Sequence, residues 1–270
     1  MRQNSCTVDF EASNSWVILS PIEQSIKHKI EAIGTPLKDW DINIYRGILT
    51  GYNDAFIIST EKRNEILANC KTEEEKMRTA DLIRPILRGR DIKRYGYNWA
   101  NLWLINTHNG IKEKNISRIN VEKDYPAIKK HLDNYWDKLQ KRADQGDTPY
   151  NLRNCAYMDD FNKPKIVWNR ISSIKQFALV ESSIYIQDSM HFIVGSNLNY
   201  LCSVLNSKLI QWLLSLIIGE AAGGNAGNAD NIWNLFIPKQ TNNVRFSDKE
   251  IYSIYQLTQE EIDFIESQCN

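Results

Sequence analysis

The chain lacks the residue spacings that metal and disulfide chemistry need. Its 270 residues hold five cysteines, Cys6, Cys70, Cys155, Cys202 and Cys269, which are scattered and odd in number. No CxxC pair and no Cys/His cluster occurs, so neither a disulfide framework nor a zinc site is expected, and a reducing cytoplasm is the natural compartment. The four histidines, His28, His108, His131 and His191, show no metal-ligand spacing. An excess of one charge is missing too, because 33 Lys and Arg offset 33 Asp and Glu. A sequence-blind nucleic-acid binder carries a basic excess. The balance here leaves room only for a binder whose cations are gathered on one face. Long hydrophobic runs are also absent. The longest, 209–219, contains Gln211 and Ser215 and is too short to span a bilayer, so no membrane partner is expected. The opening Met-Arg-Gln-Asn-Ser-Cys has no apolar signal-peptide run, and its polar start reads as a piece of a longer protein.

Catalytic signatures are missing as well. No Pro-Pro occurs, which removes the Asn/Asp-Pro-Pro-Tyr/Phe tetrapeptide that holds an adenine amino group for methylation. No strand is followed by the Gly-rich turn of an S-adenosylmethionine site. A Mg-dependent nuclease needs clustered carboxylates, and Glu74-Glu75-Lys76 matches that pattern only trivially, inside a charged helix. No catalysis and no cofactor are expected within these residues.

What is present is an ordinary globular composition, 42% apolar and 24% charged, with eight Trp and twelve Tyr. The length fits one large domain or two lobes. Residues 21–33 predict a helix, with Ser20 as cap, Pro21 in the first turn and Ile22, Ile26, Ile30 and Ile33 at helical spacing. Gly34 stands where a helix end wants positive φ. Residues 42–58 predict a β-hairpin: Ile42, Ile44 and Ile48 lead into the turn cluster 50–54, and Ala55-Phe56-Ile57-Ile58 leads out. Gly51 supplies the positive φ that a tight turn needs.

A charged helix is expected over 60–79, anchored by Ile66, Leu67 and Met77, and a strand over 99–106. A helix over 125–143 follows, with Ile128, Leu132, Tyr135, Trp136 and Leu139 on one face. The polar stretch 142–162 reads as a flexible connection. Four short strands, 165–171, 177–180, 184–186 and 191–194, predict an antiparallel meander. The clearest helix covers 196–218, where Leu198, Leu201, Leu205, Leu209, Trp212 and Leu216 form one stripe. A Gly/Ala/Asn loop (219–227), a strand (232–238) and two capping-box helices opening at Ser247 and Thr258 complete the chain. The fold class is α+β, with antiparallel or mixed sheets and packed helices.

Two windows concentrate positive charge. Residues 84–94 hold Arg84, Arg88, Arg90, Lys93 and Arg94 against one acid, Asp91, with Gly89 parting the arginines as in an outward-aimed turn. Residues 163–175 hold Lys163, Lys165, Arg170 and Lys175 and no acid. Solvated surface loops would explain such windows equally well. In a chain of zero net charge, though, they imply acids elsewhere, which is how one specific basic face is built.

These blocks fall in a familiar order. Trp16-Val-Ile, Ile33-Gly34-Thr35-Pro36-Leu37 and Gly47 through Phe56 come first. Ile86-Leu-Arg88-Gly89-Arg90-Asp91-Ile92 and Lys163-Pro-Lys165-Ile-Val-Trp168-Asn169-Arg170 follow. Leu205-Asn206-Ser207-Lys208 and Ile232 through Pro238 close the series. The succession resembles, over roughly 14–268, the TaqI-like C-terminal specificity domain of type IIG restriction–modification enzymes and adenine-N6 DNA methyltransferases. Phe236 departs from the family's usual Pro, and the Gly-rich loop before it carries Asn225, Asn228 and Asp230 where basic residues are common.

The resemblance implies a flexible segment 1–15, a recognition domain 16–240 with a helical excursion at about 120–150, and a C-terminal helical tail 241–270. It implies double-stranded DNA as partner and a methyltransferase domain in the same polypeptide, to which S-adenosylmethionine and Mg would belong. Phosphate contacts would set register and a few side chains would read base edges, Arg suiting guanine and Asn or Gln suiting adenine. The candidate contacts are Thr50, Tyr52, Asn53, Arg88, Arg90, Lys93, Arg94, Lys165, Asn169, Arg170, Lys175 and Gln176. Thr50 and Asn53 could equally shape their turn, Asp91 is expected to orient an arginine, and Trp168 is expected in the core. Half of a type I specificity subunit and a protein-interaction module are the alternatives. The first would need long connecting helices; the second would draw on zero net charge and the Leu/Trp-rich helix.

Overall fold

The computed structural model of the chain describes residues 19–170, 176–219 and 229–268. Its strands, in chain order, are β1 (Thr35–Pro36), β2 (Ile42–Arg46), β3 (Ile57–Ser59), β4 (Ile83–Leu87), β5 (Ile92–Lys93) and β6 (Gly96–Tyr97). Then come β7 (Leu102–Ile105), β8 (Lys165–Asn169), β9 (Ala178–Val180), β10 (Tyr185–Ile186), β11 (Met190–Gly195) and β12 (Phe236–Ile237). One four-stranded sheet runs β2-β11-β8-β9, all antiparallel. The other runs β10-β4-β7-β3, with β10 parallel to β4 and the remaining pairs antiparallel. Two short ribbons, β5-β6 and β1-β12, complete the strand pairing.

The sheet β2-β11-β8-β9 is buried on both faces. Successive side chains of a strand point to opposite sides, so Val167, Phe192 and Val194 enter one core while Ile166, Trp168 and Ile193 enter the other. That is why β8 and β11 read as continuous apolar runs rather than alternating ones. The first core is completed by the other sheet, through Ile86 and Leu104, and by Ile66, Ile128, Leu132, Leu139 and Phe161. The second is completed by Ile26 and Ile30 of the helix Pro21–Ile33, by Leu201, Leu205, Leu209 and Trp212, and by Tyr252, Tyr255 and Ile265 near the C-terminus. Trp168 lies fully inside it, as expected.

Several local expectations hold. The helix Pro21–Ile33 starts at Ser20, whose backbone N–H donates to the Glu23 carboxylate at 2.7 Å. Gly51 adopts φ +69°. The helices Asp248–Ile254 and Gln259–Gln268 follow their Ser247 and Thr258 caps.

Others are corrected. The hairpin over 42–58 does not form: β2 pairs with β11 and β3 with β7, in different sheets, and Asn53–Phe56 turns as a short helix between them. Gly34 has φ −79°, so it is needed for closeness rather than handedness. A Cβ there would sit 2.5 Å from the Phe236 carbonyl carbon. The helix over 60–79 is two, Thr60–Ala68 and Glu73–Leu82, and Met77 is exposed. The helix over 125–143 breaks into Pro126–Asp133 and Trp136–Leu139. β10 leaves the expected meander for the other sheet.

The stripe over 196–218 divides into Leu198–Leu205 and Lys208–Gly219, bent by 62° where both are described. Among the described residues no single helix is long and apolar enough to cross a membrane. Ile232 belongs to the helix Ala229–Trp233, which shortens the closing strand to β12.

The stretch 142–162 is no loose connection. Arg142 is buried and donates to the carbonyls of Thr50, Pro149 and Asn151. Asn151 in turn donates to Ile119 O at 2.9 Å. Residues 1–15 and most of the 219–227 loop lie outside the described residues.

Candidate nucleic-acid interface

One end of the sheet β2-β11-β8-β9 gathers chain from both layers. Arg46 ends β2, Met190 begins β11 opposite Asn169 at the end of β8, and Phe177 precedes β9. The C-terminal ends of the parallel strands β4 and β10 arrive at the same place, where Gln187 N donates to Leu87 O at 2.9 Å. The turn 187–189 stitches these ends together: Asp188 N donates to Ile48 O at 3.0 Å, and Arg170 N donates to Ser189 O at 2.9 Å.

The first basic window, apart from Arg84 inside β4, lies on this rim. After β4 the chain makes a tight turn, Gly89–Asp91, that packs on β8. Gly89 is there because the Asn169 amide fills the space a side chain would take; a Cβ would lie 2.7 Å from Asn169 Cγ. Asp91, nearly buried, accepts from Arg88 N at 2.8 Å, from Nε at 3.2 Å and from Nη2 at 2.9 Å. A carboxylate gripping one edge of a guanidinium fixes the plane of the fork, and Asp91 thus orients Arg88 as expected. Arg90, Lys93 and Arg94 are exposed. The ribbon β5-β6 that carries Lys93 packs on β8 and β9, and Tyr95 N donates to Phe177 O at 2.9 Å. Arg94 Nη2 donates to Asn206 O at 2.6 Å. Arg245 lies over the Tyr95 ring, 3.6 Å from its centroid.

From the second window Asn169 and Arg170, and just past it Gln176, are half-buried on the same rim. Arg88, Arg90 and Arg170, far apart in sequence, are thereby brought to one edge of the fold. Lys175 lies outside the described residues.

Four candidates sit elsewhere or are otherwise engaged. Lys165 is fully buried, and its Nζ donates to Ile184 O at 3.1 Å and Glu181 O at 3.3 Å. Burial lowers its pKa to about 8, and it is withdrawn from any phosphate contact. Thr50 is 1% exposed and donates its hydroxyl to Asn53 Oδ1 at 2.7 Å, while its carbonyl accepts from Arg142. Burial lowers the Arg142 pKa to about 10, which leaves it charged at neutral pH. Thr50 and Asn53 therefore shape the turn. Tyr52 packs its ring on Tyr135, with centroids 6.0 Å apart.

Sequence reasoning missed Arg46 and the turn 187–189. Arg46 Nη2 pairs with Asp188 Oδ2 at 2.9 Å, and Nε donates to Asp188 O at 3.1 Å. Neither lies in a basic window; only the pairing of β2 with β11 brings them to the rim. Among the described residues, no group of His, Cys, Asp and Glu could hold a metal ion.

The model of one protein family, the TaqI-like C-terminal specificity domain, matches residues 84–224. The match runs from β4 past β11 and so contains every rim residue named above except Arg46, Ile48 and Arg245. Among solved structures, the chain is similar to the type IIG restriction endonuclease BpuSI, with 18% identity and a TM-score of 0.52, covering 87% of this chain and 27% of that one. It is also similar to the type IIL restriction–modification enzyme MmeI in complex with DNA, with 11% identity and a TM-score of 0.52, covering 74% of this chain and 25% of that one. At these identities the likeness is one of fold, and the chain spans about a quarter of the length of either enzyme. No curated protein matches it. With the matched segment covering both basic windows, the strands that join them and the helix bend at Asn206, the chain belongs to the TaqI-like C-terminal specificity domain family.

Proposed function

We propose that this chain is the DNA target-recognition domain of a larger restriction–modification protein, holding double-stranded DNA against the rim while the chemistry happens in another domain. The observation that carries the reading is the gathering of Arg88, Arg90, Lys93, Arg94, Asn169, Arg170 and Gln176 at one end of a doubly covered sheet, in a chain of zero net charge. Family membership supports it, as does a fold shared with an enzyme solved on DNA.

The roles divide by how each side chain is held. Arg90 and Lys93 are exposed on short turns, a placement suited to phosphate contacts that set register. Arg88 is locked edge-on by Asp91, and Asn169 is pinned against Gly89. A fixed guanidinium fork and a fixed amide are the geometries that read guanine and adenine edges in the major groove. Methyl transfer, and any strand cleavage, belong in this reading to a methyltransferase domain of the parent polypeptide, with its S-adenosylmethionine and Mg.

The test is binding of the chain to short duplexes over a range of salt. Affinity should fall steeply with salt, with a slope of about −0.9 per neutralised phosphate. Arg90→Ala should make that slope shallower for every duplex alike. In the parent enzyme, Arg88→Ala or Arg170→Ala should cost about 1–3 kcal/mol at the cognate site. Duplex binding that is absent at low salt, or unchanged activity for both arginine variants, would overturn the reading.

A further inference from the structure

Beside the rim, a cleft of about 260 Å³ opens where the stretch after residue 150 crosses the end of β2; Arg46, Leu49, Leu152, Arg153, Asn154 and Tyr157 are among its lining. The two arginines reach it from opposite sides of the sequence. Arg46 is held by Asp188, and Arg153 Nη1 pairs with Asp144 Oδ1 at 3.0 Å. Arg153 and Asp144 are both well exposed, so that pair is a weak one, open to exchange for a stronger anion. Arg46 keeps Nη1 beyond the two N–H groups that Asp188 engages.

Tyr157 lines the same cleft as the two arginines and is fixed there. Its ring stacks on Tyr45 with centroids 4.3 Å apart and planes within 5°. Burial pushes its pKa up to about 12, the Cys155 thiol adds to the rise, and the charges of Arg46 and Arg153 both pull it back down. Both arginines line the cleft together with this ring. Two guanidiniums form a donor set for a tetrahedral oxyanion. Leu49 and Leu152 add apolar wall for a group attached to it.

We propose that this cleft is a phosphate seat: it takes one phosphate with its attached sugar, held by Arg46 and Arg153. This rests on the DNA-recognition reading for its ligand, because Arg46 is shared with the rim and a strand lying on the rim passes the cleft mouth. The same chemistry would also accept the phosphate of a free nucleotide. Neither arginine lies in the two basic windows, so the seat widens the interface beyond the residues the charge pattern pointed to.

Both sources can be tested on the full chain, using a short duplex and deoxyadenosine monophosphate as probes. The variants are Arg153→Gln, whose side chain is exposed, and Arg46→Gln, with thermal unfolding checked for each. Lys27→Gln, an exposed cation on the helix Pro21–Ile33, controls for net charge. If the seat holds the DNA backbone, Arg153→Gln lowers the salt slope of duplex binding by about 0.9, Lys27→Gln does not, and the free nucleotide binds no better than to the variant. If the seat serves a free nucleotide, the monophosphate binds the wild type at least tenfold better than it binds Arg153→Gln, and the duplex slope is unchanged. Either result supports the seat. Duplex binding that stays steep and equal in all variants, with no nucleotide binding, overturns the seat and leaves DNA recognition standing. Absence of duplex binding overturns the recognition reading instead, and the nucleotide measurement alone then decides the seat.

Discussion

Lys165 shows how far the position of a charged residue in sequence can mislead. It stands in an acid-free basic window, yet it is the first residue of β8 and its ammonium is folded inward onto two carbonyls. An unfolded lysine keeps its proton to about pH 10.4, whereas in the fold burial lowers that to about 8, with Glu181 pulling weakly the other way. Below pH 8 both states are protonated and the native state bears the full desolvation cost. Between about 8 and 10.4 the unfolded chain binds more protons, so this group makes stability rise with pH. The rise is of the order of 3 kcal/mol. Lys165→Met should abolish that component while leaving duplex affinity at neutral pH unchanged. Denaturant midpoints at about pH 7 and about pH 10, wild type against variant, would read it; an equal rise in both would assign the pH dependence to other groups.

At the scale of elements, the break at Asn206 is the most informative departure from the sequence pattern. The apolar stripe from Leu198 to Leu216 keeps helical spacing throughout, and periodicity alone makes it one helix. Asn206 overrides it. Its Nδ2 donates to Phe177 O at 2.8 Å and its Oδ1 accepts from Phe177 N at 3.1 Å, replacing the partner strand that β9 lacks there. Ser207 Oγ then accepts from Ile210 N at 3.2 Å and opens the second helix. Asn206→Ala would leave Phe177 N buried without its acceptor, while Phe177 O keeps the donation from Tyr95 N, at a cost of about 1–3 kcal/mol. It would also loosen the carbonyl that Arg94 grips. A denaturant-measured loss under about 1 kcal/mol would show that apolar packing sets the bend.

The same contrast explains what could be read from the sequence. Local signals were legible: the Ser20, Ser247 and Thr258 caps, the φ of Gly51 and the apolar runs of β8 and β11 depend on neighbours in sequence. The arginine turn at Gly89 was legible as well. The hairpin over 42–58 and the meander over 184–194 were misread because each strand's partner comes from far along the chain. A charge count likewise cannot separate Lys165, turned inward, from Arg170, a few residues on at the rim.

For the whole molecule, the decisive fact is that one sheet serves two cores. The C-terminal helices look like a tail, yet Ile251, Tyr252, Tyr255 and Ile265 are each at most 4% exposed in the second core. The Tyr255 hydroxyl donates to Phe236 O at 2.8 Å, and Glu261 accepts from Lys29 at 2.6 Å and Ser25 at 2.7 Å, tying the last helix to the first. Burying a large apolar side chain contributes about 1.5–3 kcal/mol, so losing these four would match much of the 5–15 kcal/mol by which a native domain is stable. Ending the chain at residue 240 would also uncover the helix Lys208–Gly219, against which both C-terminal helices pack and which helps close the second core behind β8 and β11. Because Asn169 and Arg170 end β8, a truncated chain should lose duplex binding and cooperative unfolding together, although it keeps every rim residue except Arg245. Circular dichroism melting alongside duplex titration of that chain would check this. If the shortened chain melts at the wild-type temperature, the two helices are an appendage and the rim stands on the first core alone.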